Sequence, residues 1–371
     1  MSDAPRIVFR ADASVQIGTG HVMRCLTLAD ALRARGADCQ FICREHPGNL
    51  IDFIRSKGYT LHALPGGESA ATLLDAINDK PKVAHASWLG VSQSQDASAC
   101  AAVLGDRRIN WLVVDHYALD ARWEFALKPY FSKLLVIDDL ADRSHCCDLL
   151  VDQTFGRSAS DYSTLVSPAS TLLCGSQYAL LKPEFADLRT HSLARPRGER
   201  VQHLLISMGG IDKDNVTERV LHALKASELP AGCRITVVLG VTAPWLAKIC
   251  LAAERMPWPT TVKVGITNMA QLMADSDLAI GAAGATSWER CCLGVPTVLI
   301  VLAANQRNVA RGLEQAGAAV VLPDAHAIDT NLPQQLNRLL GSPDRRAAMS
   351  RSAAEIVDGA GVISVLRQVE L

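Results

Sequence analysis

The sequence predicts an α/β protein built as two Rossmann-like domains, and three observations carry that reading. The chain has 371 residues, enough for two separate cores at roughly 150 residues per domain. Short runs rich in Val, Ile and Leu recur along it, mostly without polar alternation, as strands buried on both faces of a parallel sheet do. Segments of helical period lie between these runs in both halves, which is the alternation that makes α/β layers.

In the first half the expected strands are Arg6–Asp12, Cys39–Arg44, Trp111–His116, Leu134–Asp138 and Leu149–Asp152. A helix is expected from Gly20, with Val22, Cys25, Ala29 and Leu32 on one face and Gly36 closing it. Residues Gly66–Gly105 are poorly patterned and read as helices and a loop. Arg189–Gln202 (RTHSLARPRGERVQ) is rich in charge and breakers without an apolar period, and reads as the linker. In the second half the expected strands are His203–Met208, Arg234–Leu239, Thr261–Val264, Leu278–Gly281, Thr297–Val301 and Ala319–Leu322. Ala353–Val369 reads as helical, interrupted by Gly359 and Gly361. The expected domains are therefore 1–190 and 191–350, followed by a C-terminal helix in 351–371.

Composition excludes partners. Lys and Arg number 37 against 38 Asp and Glu, for a net charge of -1. A broadly basic nucleic-acid binder would need a cationic excess to displace counterions. Aromatics at 5% are too few for a base-stacking platform. The 11 cysteines contain no CxxC and no zinc spacing, and read as small buried hydrophobes in a reducing cytosol. Met1–Arg6 has no apolar signal core, and the longest apolar stretch, Thr297–Ala304, is too short for a bilayer. The expectation is a soluble cytoplasmic protein with no nucleic-acid partner and no membrane insertion. Its oligomeric state is not set by the sequence.

The first strand runs into Arg10-Ala-Asp12-Ala-Ser-Val-Gln-Ile-Gly18-Thr-Gly20-His21-Val-Met-Arg24. Ligands of open α/β sheets bind beyond the C-terminal ends of strands. Gly18 and Gly20 permit a close backbone approach. His21 then lies at a helix N-terminus, where the dipole disfavours imidazolium and leaves a neutral ring able to take a proton. A simple turn carrying a surface histidine also fits these residues alone. The third glycine of GxGxxG is replaced by Met23, and no Walker lysine is present, so a dinucleotide or P-loop reading is weak.

Two more glycine turns lie in the second half. Ser207-Met-Gly209-Gly210 follows a strand and precedes a helix starting near Asn215. Gly281-Ala-Ala-Gly284-Ala-Thr286-Ser287-Trp-Glu289 also joins a strand to a helix. Backbone N–H groups at such turns suit a diphosphate. Glu289 can accept hydrogen bonds from both hydroxyls of a ribose, or can simply complement the helix dipole. Asn305 and Gln306 fit ligand contact or loop capping. Asp115-His116-Tyr117 ends one first-half strand and Asp138-Asp139 another. The carboxylate pair fits Mg²⁺ binding, a raised pKa or helix capping. HExxH, EF-hand and Gly-x-Ser-x-Gly patterns are absent.

Taken together and in order, these motifs resemble one family. The opening Arg10-Ala-Asp-Ala-Ser…Ile17-Gly-Thr-Gly-His21-Val-Met-Arg-Cys-Leu is similar to that of the PseG family, the UDP-2,4-diacetamido-2,4,6-trideoxy-β-L-altropyranose hydrolases of the pseudaminic acid pathway. Val114-Asp-His-Tyr117, Ile137-Asp-Asp-Leu140, Tyr178-Ala-Leu-Leu, Ser207-Met-Gly-Gly210, Gly284-Ala-Thr-Ser-Trp-Glu289 and Asn305-Gln306 extend the resemblance over nearly the whole chain. Lys182 departs from it, standing where an Arg is expected.

The resemblance implies a GT-B fold like that of MurG-type glycosyltransferases, with an interdomain cleft and a C-terminal helix crossing back onto the first domain. It implies that His21 activates water for attack on the anomeric carbon, releasing UDP without a cofactor or an essential metal. It implies that Glu289 and Asn305 hold UDP, with Gln306, Ser287 and the turns at Gly209, Gly210 and Gly284 on the nucleotide side. Asp12, Arg24 and Tyr117 are the candidates on the sugar side, and Gly18 and Gly20 are further substrate-binding candidates. A glycosyltransferase of the same fold using a UDP-amino sugar, and a non-catalytic UDP-sugar-binding protein, are the competing expectations.

Overall fold

The computed structural model describes residues 4–67, 83–106, 109–197 and 200–370. Residues 68–82 of the poorly patterned Gly66–Gly105 region therefore lie outside the described residues. The chain divides into two units, one reaching Leu180 and including Gly361 onward, the other Leu181–Ala360. The helix Pro183–Ala194, which contains the start of the expected linker, belongs to the second unit, as does the helix Pro343–Ile356.

The first unit is built on β1 (Arg6–Ala11), β2 (Asp38–Arg44), β3 (Thr60–Leu64), β4 (Ile109–Asp115), β5 (Phe131–Ile137), β6 (Leu149–Asp152) and β7 (Thr171–Cys174). They form one parallel sheet in the order β3-β2-β1-β4-β5-β6-β7. Successive side chains point to opposite faces of a strand. Ile7, Phe9, Val113 and Leu135 accordingly enter one core, while Val8, Leu112, Val114 and Leu134 enter another. Both faces are covered, which is why these strands read as unbroken apolar runs. The helix α1 (Gly20–Arg33) covers the first face with Val22, Cys25, Leu28, Ala29 and Leu32. The helix Gln93–Leu104, capped by Ser92, covers the second with Ala97, Cys100 and Leu104. The short helix Gly361–Leu366 returns Val362, Val365 and Leu366 to the α1 side.

Strands β3 and β7 were not expected from the sequence, and both are sheet edges. Thr60 is exposed and Leu61–Ala63 only half-buried. β7 is four residues long and begins with exposed Thr171. An edge strand is covered less and carries a weaker apolar signal.

The second unit holds β8 (His203–Ser207), β9 (Arg234–Leu239), β10 (Thr260–Val264), β11 (Leu278–Ala282), β12 (Thr297–Ile300) and β13 (Val320–Leu322). All pairs are parallel, in the order β10-β9-β8-β11-β12-β13. In each sheet the chain starts centrally, winds outward to one edge, then returns to build the other side. The order thus switches between β1 and β4 in the first unit and between β8 and β11 in the second. Ligand sites of doubly wound sheets lie at this switch, beyond the strand C-termini.

The stretch Arg189–Gln202 was expected as a linker, but its first residues are helical and three of its four arginines are anchors. Arg189 donates to the carbonyls of Cys292, Val357 and Ala354 at 2.5, 2.9 and 2.7 Å. Arg195 donates to the Ala274 carbonyl and to Asp277, both at 2.6 Å, and Arg197 to the Ser276 carbonyl. These are the orphan carbonyls at helix C-termini, which cationic side chains satisfy. Sequence shows the charge, while the acceptors come from helices some eighty residues or more away.

All eleven cysteines are free. No helix among the described residues is long and apolar enough to cross a membrane.

Candidate active site

The loop after β1 is shaped by its own short hydrogen bonds. Ser14 Oγ accepts the N–H groups of Gln16 and Ile17, and its carbonyl accepts Gly18 N–H at 2.8 Å. Gly18 closes this turn at φ +82°, a conformation that a side chain disfavours. Gly20 then opens α1, and His21 and Arg24 face the end of β4 across the sheet switch.

There the two side chains meet Asp115. His21 Nδ1 lies 2.5 Å from Asp115 Oδ1. Arg24 donates to both Asp115 oxygens at 2.6 and 2.7 Å, and to Asp139 Oδ2 at 2.5 Å. The Tyr117 hydroxyl donates to the same Asp139 oxygen at 2.7 Å. Burial works to raise the Asp115 carboxyl, but the Arg24 guanidinium and His21 override it and hold it well below the usual range. Asp115 is therefore ionised and can only accept. His21 Nδ1 must carry the hydrogen, so the lone pair sits on Nε2. Among the described residues, no hydrogen bond occupies that Nε2. The Tyr117 ring packs edge-on against His21 at 4.5 Å.

Behind this dyad lies a fully buried ion network. Asp12 Oδ1 takes Arg10 Nη1 at 2.6 Å and Arg44 N–H at 2.7 Å. Asp96 takes Arg10, Arg44 and the Trp123 indole. Asp12 thus sits beneath the loop, with His116 Nε2 3.2 Å and His46 Nε2 3.5 Å from its second oxygen.

The carboxylate pair splits its roles. Asp138 accepts the N–H groups of Leu140 and Ala141, Arg143 and the Tyr162 hydroxyl. Burial opposes ionisation, yet Arg143 and His145 bring the group down to about 2. Asp139 turns instead to Arg24 and Tyr117. In the first unit the raised acid is Asp152, at the end of β6, which burial and then Asp139 push up to about 7. Among the described residues, no three His, Cys, Asp or Glu are placed to hold a metal.

In the second unit the glycine turns occupy the β8 and β11 ends. Gly209 adopts φ +91°. The N–H groups of Gly209, Gly210 and Gly284 make no hydrogen bond among the described residues. Ser287 is buried, and its hydroxyl serves the turn, donating to the Ala282 carbonyl at 3.5 Å and accepting from Arg290 at 3.2 Å. Glu289 is half-buried. Burial raises its carboxyl to about 7, against Arg290 and Lys182. Lys182 itself lies 3.9 Å from Glu184. Asn305 is exposed, and Gln306 accepts the Leu302 N–H at 2.9 Å while its amide nitrogen borders Gly284.

The structure therefore gathers Gly18, Gly20, His21, Arg24 and Tyr117 at the first switch, with Asp12 beneath. It gathers Gly209, Gly210, Gly284, Ser287, Glu289, Asn305 and Gln306 at the strand ends of the second unit. The sequence reading left Asp115 and Asp139 without roles beside His21. Their position at the ends of β4 and β5 was the available signal, but their partners lie about a hundred residues away.

Residues 259–362 match the glycosyltransferase family 28 C-terminal domain. The chain is 28% identical over 316 residues to UDP-2,4-diacetamido-2,4,6-trideoxy-beta-L-altropyranose hydrolase of Campylobacter jejuni, covering 85% of this chain and 98% of that protein. This chain is similar to that hydrolase over most of its length. A shorter stretch of 95 residues is 43% identical to a UDP-N-acetylglucosamine–N-acetylmuramyl-(pentapeptide) pyrophosphoryl-undecaprenol N-acetylglucosamine transferase of Salinibacter ruber, covering 24% of this chain and 25% of that protein. MurG of Acinetobacter baumannii superposes with a TM-score of 0.63 at 16% identity, covering 98% of this chain and 99% of MurG. At that identity the likeness speaks for the fold: two Rossmann-like domains of GT-B type, as the motifs implied.

Proposed function

We propose that the protein hydrolyses UDP-2,4-diacetamido-2,4,6-trideoxy-β-L-altropyranose to the free sugar and UDP, in the cytoplasm and within pseudaminic acid biosynthesis. The His21–Asp115 pair carries this reading. A histidine with Nδ1–H held by an ionised aspartate and Nε2 left open is a general base. It takes a proton from water as the water oxygen bonds to the anomeric carbon. The bond from that carbon to the diphosphate oxygen breaks, and its electron pair leaves with UDP. Asp115 then stabilises the imidazolium.

Arg24 acts through Asp115, holding the carboxylate in place, and Tyr117 fixes the plane of the His21 ring. The open N–H groups of Gly209, Gly210 and Gly284 serve the diphosphate, where preorganised donors stabilise leaving-group charge. Glu289 takes the ribose hydroxyls, and Asn305 and Gln306 complete the nucleotide side. Similarity to the hydrolase over 85% of the chain supports the substrate. Similarity to the transferases covers less, 24% of the chain for the Salinibacter ruber protein and 46% for that of Pseudomonas putida.

The deciding assay incubates purified protein with the UDP-diacetamido sugar, without acceptor, with and without EDTA. UDP release in both conditions is the expected result. Release only after an acceptor is added would make the protein a glycosyltransferase, and tight binding without release a UDP-sugar-binding protein.

Glu289 gives a pH test. Ribose hydroxyls donate to a carboxylate, so binding favours the ionised form of a group that sits at about 7 in the free protein. UDP-N-acetylglucosamine, whose phosphates are both esterified, should bind about tenfold more tightly at about pH 8 than at about pH 6. Glu289→Gln should remove the slope, and an equal slope in both proteins would assign it elsewhere.

A further inference from the structure

Beside the dyad the first unit carries a small aromatic wall. Trp88, in the short 3-10 turn Ala86–Trp88, stacks on Tyr117 with centroids 5.9 Å apart and planes at 24°. Its ring edge meets His21 at 6.3 Å, and His85 packs on it at 4.2 Å. Tyr117 is buried, whereas Trp88 is half-buried, so Trp88 is the outer layer.

Two features of Trp88 bear on ligand chemistry. Trp111, Trp123, Trp245 and Trp258 each donate Nε1–H to a protein oxygen. Among the described residues, nothing accepts those of half-buried Trp88 and of Trp288, which is buried in the other unit. Asp115, Arg24, Asp139 and the Tyr117 hydroxyl satisfy one another, which leaves His21 Nε2 and the His85 ring as the open polar groups beside Trp88. A hydroxyl-rich sugar would find few open partners here. An indole offers an apolar face and one N–H donor. An acetamido group presents the complement, a methyl group and a carbonyl acceptor.

We propose that Trp88 recognises an acetamido substituent of the sugar, its face covering the methyl group and its N–H meeting the carbonyl. This rests on the hydrolase reading of the same site and adds the residue that selects the sugar.

The test measures how much the sugar adds to affinity, as Kd for UDP divided by Kd for the UDP-diacetamido sugar, in His21→Ala protein to prevent turnover. Adding Trp88→Ala should lower this ratio about 10–100-fold with the Kd for UDP unchanged. Trp88→Phe, which keeps a face and loses the donor, should fall between. In protein with His21 intact, Trp88→Ala should raise KM more than it lowers kcat. A ratio that survives Trp88→Ala overturns the proposal and leaves the hydrolase reading standing. Absence of UDP release from the wild-type protein overturns that reading, and the binding ratio still decides the role of Trp88.

Discussion

His21→Ala lowers kcat by about 10²–10⁴, the usual contribution of a positioned general base. The dissociation constant for UDP stays within about twofold, because the residues proposed to hold UDP belong to the other unit. The fold is retained, since Asp115 keeps two hydrogen bonds from Arg24 at 2.6 and 2.7 Å. Kinetics of UDP release beside calorimetry with UDP separate these effects. Wild-type turnover in the His21→Ala protein would remove the base from the mechanism.

Asp115→Asn has an expected effect of similar size by a different route. Aspartate offers acceptors only, and four donors converge on it: His21 Nδ1, two nitrogens of Arg24 and, more weakly, the Cys25 thiol. An asparagine has one oxygen and one NH₂ group. If the oxygen serves His21, the NH₂ group faces the Arg24 guanidinium, which then keeps only Asp139 as its counter-charge. If it serves Arg24, the NH₂ group donates to Nδ1 and moves the ring hydrogen to Nε2, where no proton can then be accepted. Either arrangement is costly. Loss of the correct tautomer lowers kcat by about 10⁴ in a well-studied histidine–aspartate enzyme, and a fall of at least about 10² is expected here. Removing one partner of a buried ion pair also destabilises by about 3 kcal/mol. The variant should therefore lose activity at temperatures where circular dichroism still reports native structure, and its urea midpoint should fall. Wild-type kcat with an altered midpoint would leave Asp115 a purely structural partner of Arg24.

The same carboxylates set the acid response. Asp12, Asp96, Asp115 and Asp138 are all held below their ordinary values, Asp138 at about 2. A folded-state pKa that is depressed contributes stability above the unfolded value and loses it as pH falls toward the folded one. Stability should therefore drain from about pH 4 downward, and Asp115→Asn should lose less over that window.

The layers, the motifs and the placement of His21 at a helix start are legible in the chain order alone. Eleven of the thirteen strands were legible because each sheet is covered on both faces, so the apolar runs are local and continuous. The edge strands β3 and β7 were not, because a half-covered strand needs fewer apolar residues. Arg189, Arg195 and Arg197 read as a charged linker for a related reason. Their carbonyl acceptors lie at helix ends distant in sequence, and nothing local distinguishes an anchored arginine from a solvated one.

Tertiary structure alone decided the chemistry around His21. Which nitrogen carries the proton follows from Asp115, 94 residues away, and Asp115 stays ionised because Arg24 reaches it from the helix in front. The Asp138-Asp139 pair looked like one site in sequence, yet Arg143 claims the first residue and Arg24 the second. Asp152, with no motif around it, became the raised acid of the first unit. A protonation state depends on charges within a few ångströms, and in a doubly wound sheet those neighbours come from other strands. The chain order names the candidates; the crossing of the strands at the switch assigns their states.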